Sequence, residues 1–299
     1  MKEIKTVTDN LGIEINQQLF LLNKLLLEKS RPYIPPPAYF GDSLIVNMSG
    51  DHRWSQLDLE GQRLQSKLLE DYRRLFATVS VLLVHQPSDA LVSLKQTDDT
   101  ILSLIDQNGA TYLATSQEAF DEGEKAYKSL LELIARLYDT DREEIILVPD
   151  TNALLYNHQL EKWTFDFTHP FILFFVPAVV SELDSQKVNH NNESVRAKAT
   201  SLVKQYKEYR SRGDIFEGVA IVKGCSKIAA VALEPDMDHS LPWLKADNND
   251  DRILASSIEI MRQNPRKPVL LVTRDINLQN KCDYARVPYL EPPEPVEQN

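Results

Sequence analysis

At 299 residues the chain has room for one large domain or two ordinary ones. Its 42 % hydrophobic and 26 % charged residues fit a globular protein, and no run approaches the roughly 18 apolar residues that a membrane-crossing helix needs. The formal net charge of −11 argues against a protein that merely holds nucleic acid on a basic surface, and less against one whose acidic centre works with divalent cations.

The first 140 residues read as a helical domain. Residues 9 to 30 carry Leu11, Ile15, Leu19, Leu22 and Leu26 on one helical stripe, with Asp9 as the expected N-cap. The segment PYIPPPAYFGD breaks this pattern with four prolines, so residues 31 to 50 are expected to be irregular or extended. Helices are expected over about 57 to 84, 89 to 106 and 116 to 138. No chemical motif or internal repeat occurs here. Such a bundle can bury its own core, and its helices are candidates for homo-oligomer contacts, for a regulatory partner, or for covering an active site.

Near residue 141 the pattern changes. IILV (145 to 148), FILFFV (171 to 176), VAIV (219 to 222), PVLLVT (268 to 273) and VPYL (287 to 290) read as buried strands. Between them lie helical stretches at Pro177 to Gln186, Ser194 to Arg210, Asp250 to Gln263 and Asn277 to Cys282. Continuous apolar strands alternating with helices predict a parallel sheet covered on both faces, hence an α/β domain over residues 141 to 291. The residues beyond it, 292 to 299, read as a disordered tail.

Four acids fall where such a sheet places a site. Asp150 closely follows the first strand in VPDTNALL. Glu182 lies in the helix after the second, in VPAVVSELD. Asp250 opens a helix in NNDDRILASS, and Asp275 closely follows the fourth strand in LLVTRDINL. Open parallel sheets bind ligands at the carboxyl ends of their strands. Carboxylates converging there repel unless a cation offsets them, and hard oxygen ligands suit Mg²⁺ or Mn²⁺. One or two such ions, a pair being about 4 Å apart, can activate a water and stabilise the leaving oxygen of a phosphodiester. Each acid alone also has a plainer reading, since an Asp at a strand end often only caps the next helix.

Together these segments resemble the four signature segments of the PIN-domain nucleases, and most closely the PIN endoribonucleases of mRNA decay. The resemblance covers roughly the C-terminal half. It implies a three-layer α/β/α fold, a Mg²⁺ or Mn²⁺ site and hydrolysis of single-stranded RNA. It places Asp150, Glu182, Asp250 and Asp275 as metal-binding, catalytic acids, with Thr151, Asn152 and Thr273 beside them. Between neighbouring Asp250 and Asp251, about 100° apart around a helix, Asp250 lies three and four residues before Ile253 and Leu254. That spacing places Asp250 on the inward azimuth and leaves Asp251 a capping or supporting role.

Arg196, Lys198 and Lys204, in the basic helix after VNHNNES, and Arg252 and Arg274, beside site acids, are candidate RNA contacts. The latter two could instead pair with neighbouring carboxylates. The segment from Cys225 to Lys245, with Trp243, is a candidate cleft wall. The six histidines lack metal-ligand spacing, and Cys225 and Cys282 are expected to be structural thiols in a reduced, cytoplasmic setting without a signal peptide. Two other functions share these features: a catalytically silent PIN-fold scaffold or RNA-binding module, and a structure-specific DNA nuclease.

Overall fold

The computed structural model describes residues 4–36, 38–40, 43–45, 52–138, 144–167 and 169–295. The chain divides into two compact units: Leu11–Arg136, and the segment up to Asn10 together with the residues from Leu137 onward. The division therefore falls inside the first helix, and not only at residue 140. Residues 139–143, where the sequence pattern changes, lie outside the described set.

Helix α1 (Val7–Asn23) runs on into a π-helical turn, Lys24–Lys29. Its expected apolar stripe is largely buried, at Leu11, Ile15, Leu22 and Leu26. Its N-terminus departs from expectation. Asp9 lies inside the helix and accepts from the Thr6 amide at 2.8 Å and the Thr6 hydroxyl at 2.9 Å, while the Asp9 amide donates back to Thr6 Oγ1. This is a reciprocal capping box with Thr6 as the cap and a short acid in place of the usual Glu.

The proline-rich segment contains short strands: β1 (Pro32–Tyr33), β2 (Ala38–Phe40), β3 (Ser43–Ile45) and β4 (His52–Trp54). Residues 37, 41–42 and 46–51 lie outside the described set. Helices α2 (Leu59–Leu83) and α3 (Ser88–Asp106), strand β5 (Ala110–Thr111) and helix α4 (Ser116–Leu137) follow, the helices within two residues of their expected limits. Antiparallel pairing joins β1 to β4, β4 to β5, and β2 to β3.

Within this unit the helices approach closely at Gly123 of α4. A methyl group there would come within 2.6 Å of Leu22 Cδ2 and 3.2 Å of Leu104 Cδ1. The same core holds a polar chain. Buried Tyr127 donates to Gln18 Oε1 at 2.9 Å, Gln18 donates to Glu14 Oε1 at 3.1 Å, and the Arg74 guanidinium stands 3.6 Å from that carboxylate. Buried Tyr72 donates to Asp98 at 2.9 Å.

The other unit is built on a six-stranded sheet. In chain order its elements are β6 (Ile145–Pro149), α5 (Thr151–Tyr156), β7 (Phe171–Phe175), α6 (Pro177–Asn189), α7 (Glu193–Arg212), β8 (Val219–Val222), β9 (Ser226–Ala230), α8 (Asn249–Gln263), β10 (Val269–Val272), α9 (Ile276–Ala285) and β11 (Tyr289–Leu290). Strand order is β11-β10-β6-β7-β9-β8. Every pairing is parallel except β8 with β9. All residues of β6 and β10 are buried, as expected of central strands covered on both faces in an α/β/α domain.

The sheet is thus mixed, and VAIV is its antiparallel edge. Strand β9 takes the parallel place beside β7. Its sequence SKIAA has one large apolar residue, Ile228, so it fits under close cover without a hydrophobic run. Short α5 also went unread in the sequence. The tail departs from expectation as well: the Asn157 side chain donates to the carbonyls of Pro293 and Glu294, so this stretch is held against the domain, while residues 296–299 lie outside the described set.

Candidate active site

The site forms where β6 and β10 run side by side, with Pro149 in register with Val272. The next residue on β6, Asp150, is 3 % exposed, and its amide donates to the Val272 carbonyl at 3.0 Å. Its side chain caps α5, accepting from the Ala153 amide at 2.6 Å through Oδ1, while Oδ2 accepts from the Thr273 hydroxyl at 2.5 Å. Fully buried Thr273 also accepts from the Asp275 amide at 2.9 Å, so one hydroxyl ties both strand-end acids together. Asp275 caps α9 through the amides of Asn277, at 2.7 Å, and Leu278, at 3.2 Å. Both acids therefore do serve as caps. A carboxylate has about four acceptor positions, so capping leaves lone pairs for another partner.

Glu182, half-buried on α6, joins through Thr151. The buried Thr151 hydroxyl donates to Glu182 Oε2 at 2.9 Å, and Gln186 donates to Oε1 at 3.0 Å. Asn152 is exposed on the first turn of α5.

At the start of α8 the two neighbouring acids separate, but not as helical spacing suggests. Asp251 is the inward one, 5 % exposed, accepting from the Lys245 amide at 2.9 Å and paired with Lys281 at 2.7 Å. Asp250 stays half-exposed, 3.6 Å from Lys281. Azimuth from helical spacing misleads here because the first turn of α8 is positioned by the Asn248 cap, the Lys245 amide and Lys281 as well as by its apolar stripe. Lys281 is the functional neighbour that sequence reading missed. It sits on α9, six residues after Asp275, so only the fold brings it to Asp250 and Asp251.

Burial pushes the Asp150 carboxyl up to about 6, against hydrogen bonds from Thr273 and Ala153 that favour its charged form, and the like charges of Asp250 and Asp275 push it the same way as burial. Burial also raises Asp250; Lys281 opposes this, while Asp275 and Asp251 reinforce it. Asp150, Asp250 and Asp275 thus share one electrostatic field. Cys282, buried under them on α9, has its thiol pushed up to about 12, mainly by burial, and is an inert packing group. Cys225 is exposed.

Among the described residues no three His, Cys, Asp or Glu side chains close into a ready-made ion cage. The donors nevertheless fit a hard divalent ion in kind: all are carboxylate oxygens, and they repel one another. Asp150, Asp250 and Asp275, with Glu182 behind Thr151, are the residues that could hold one.

The basic candidates fare unequally. Arg196 donates to the carbonyls of His190 and Asn191, closing the turn between α6 and α7. Lys198 is half-buried on α7 and Lys204 exposed. Arg252 is ion-paired with Glu234 and also donates to Asn249. Arg274 lies over the Tyr156 ring, Cζ 3.8 Å from its centroid. Trp243 packs edge-on against Tyr284 of α9, at 5.4 Å, so the segment before α8 flanks this end of the unit. A cavity of about 680 Å³ in the same unit is lined by Lys5, Phe165, Phe167, Leu270 and Tyr289 among others, but by none of the four acids.

A mostly parallel sheet with acids at adjoining strand ends defines an α/β domain with a candidate site at the carboxyl ends of its strands. The PIN domain family profile matches residues 147–290, just under half of the chain, and this segment is a PIN domain. Such domains carry nuclease-type function in general. No curated protein matches the chain. Among the described residues no helix is long and apolar enough to cross a membrane.

Proposed function

We propose that the PIN domain is a metal-dependent endoribonuclease cutting single-stranded RNA. The observation that carries this reading is the shared field of Asp150, Asp250 and Asp275, with Asp150 buried and raised to about 6 beside two like charges. A fold keeps such an arrangement at a cost in stability, which a bound cation offsets. A Mg²⁺ or Mn²⁺ ion held there supplies Lewis-acid stabilisation of a phosphoryl oxygen and lowers the pKa of a water. The chain's own residues do the positioning. Thr273 fixes Asp150 and the Asp275 backbone, Thr151 orients Glu182, and Lys281 limits the net negative charge facing a polyanion.

Acids at the strand ends, outside the 680 Å³ cavity, suit a polymer lying across the surface better than a small molecule in a hole. Of the three basic candidates on α7, Arg196 is engaged by backbone carbonyls, and Lys198 and Lys204 are placed to follow the polymer's phosphates. The rival reading, a catalytically silent scaffold, draws on Lys281, which already offsets part of the charge of Asp250 and Asp251.

The deciding experiment incubates the full chain with labelled single-stranded RNA, single-stranded DNA and flap DNA, each with Mg²⁺, Mn²⁺ or EDTA. Internal cutting of the RNA that EDTA abolishes is the expected result. Preferential cutting of flap DNA replaces the substrate class, and no cutting of any substrate supports the scaffold.

A further inference from the structure

We propose that Tyr156 and Arg274 form a stacking subsite for one nucleobase beside the scissile position; the proposal rests on the nuclease reading above and names how that site grips its substrate. Arg274 immediately precedes Asp275, and Tyr156 ends α5, the helix that Asp150 caps. Six residues of helical rise put the ring about 9 Å from Asp150 along the axis. The pair is therefore bounded by both strand-end acids.

Three features distinguish it from an incidental surface contact. First, the guanidinium lies over the ring at stacking distance, 3.8 Å. Arg274 is exposed, and its contacts are with Tyr156, over the ring and at the hydroxyl. Second, the ring is anchored. The Tyr156 hydroxyl is hydrogen-bonded to Glu294, and the adjacent Asn157 side chain holds the carbonyls of Pro293 and Glu294. Third, among the described residues Arg274 makes no ion pair. Arg252, the other arginine beside a site acid, is engaged by Glu234. Arg212, which lies over Tyr209 at 5.0 Å in the same domain, is held by Glu208. Of these three, Arg274 alone is exposed over a ring with no acidic partner among the described residues.

A planar guanidinium backed by an aromatic ring is a platform for a nucleobase, and its N–H edge can meet the neighbouring phosphate. Every base has such a face, so the subsite selects a base-bearing single strand without reading sequence. A paired, stacked duplex cannot offer one.

The test uses full-length Asp150→Asn protein with Mg²⁺ and a short fluorescent single-stranded RNA, in which one nucleotide at a time is replaced by a ribose lacking its base. With Arg274 present, removal of one particular base should weaken binding about tenfold, and removal of most others little. With Arg274→Ala the intact RNA should already bind about tenfold more weakly and the scan should be flat at that position. Arg274→Lys should behave like the alanine variant in the scan, because it keeps the charge and loses the plane.

A base-dependent loss that survives in Arg274→Ala or in Arg274→Lys overturns the proposal, as does a flat scan with Arg274 present. Cleavage of RNA by the unmutated chain separates the two levels. If the chain cuts and the scan is flat, the subsite falls and the nuclease stands; if it neither cuts nor binds single strands, both fall.

Discussion

The two units bury polar groups in opposite ways. In the helical unit, Tyr127, Gln18, Glu14 and Arg74 form a donor-to-acceptor chain that ends on a cation, and Tyr72 finds Asp98. In the PIN domain, Asp150 is equally deep, yet besides its capping amide and the Thr273 hydroxyl it faces two like charges. The first arrangement satisfies itself and fixes how helices meet. The second keeps like charges close together, with Lys281 at Asp250 and Asp251 as the cation beside them.

The largest way to break this contrast is Asp150→Asn. The substitution keeps the shape and, through Oδ1, the cap on the Ala153 amide, but it removes the charge and puts a donating NH2 group where an oxygen accepted from Thr273, and should lower RNA cleavage by about 10²–10³-fold in a steady-state assay. Turnover near that of the unmutated chain would remove Asp150 from the chemistry.

The same variant sharpens the contrast in stability. Asp150 has a folded-state pKa of about 6 against an ordinary 3.8, so the folded protein holds the proton that the unfolded chain releases. Its favourable contribution is complete below about pH 4 and is lost as pH rises through 6. In EDTA the unmutated chain should therefore lose about 2 kcal/mol relative to Asp150→Asn between pH 4 and pH 7 by urea unfolding. Parallel stability curves for the two proteins would show that Asp150 is not strained.

The smallest of these effects belongs to the helical unit. Tyr127→Phe leaves the buried Gln18 oxygen without its donor and should cost about 1 kcal/mol, with no change in RNA cleavage below the melting range. A cleavage defect there would mean that the two units do not divide structure from chemistry in this way.

Much of this was legible in the sequence where one kind of residue had one purpose. The runs IILV and FILFFV declare central strands because burial on both faces leaves no polar alternation, and the stripe from Leu11 to Leu26 declares a helix. Strand β9 was not legible as a run, because Ser226, Ala229 and Ala230 are small residues under close cover. Its signal lay in the turn: Lys223, Gly224 and Cys225 follow VAIV, with Gly224 at φ 76°, as a three-residue hairpin requires.

The candidate acids stand out in the sequence by position, Asp150, Asp250 and Asp275 at element ends and Glu182 within α6. Their roles within the site do not, because Asp250 and Asp251 differ only in what the fold brings to them, the Lys245 amide and Lys281. Arg252 and Arg274 were likewise indistinguishable until Glu234 and Tyr156 were placed.

The claim that the acids of the PIN domain await a cation is tested most directly by thermal unfolding in EDTA and in millimolar Mn²⁺, for the unmutated chain, Asp250→Asn and Asp251→Asn. Mn²⁺ should stabilise the unmutated chain, by about 2.7 kcal/mol when it stands at a hundred times its dissociation constant. The gain should shrink in Asp250→Asn and persist in Asp251→Asn, whose carboxylate is already engaged by Lys281 and the Lys245 amide. Equal melting temperatures with and without Mn²⁺ would contradict it, as would a gain that survives Asp250→Asn and disappears with Asp251→Asn.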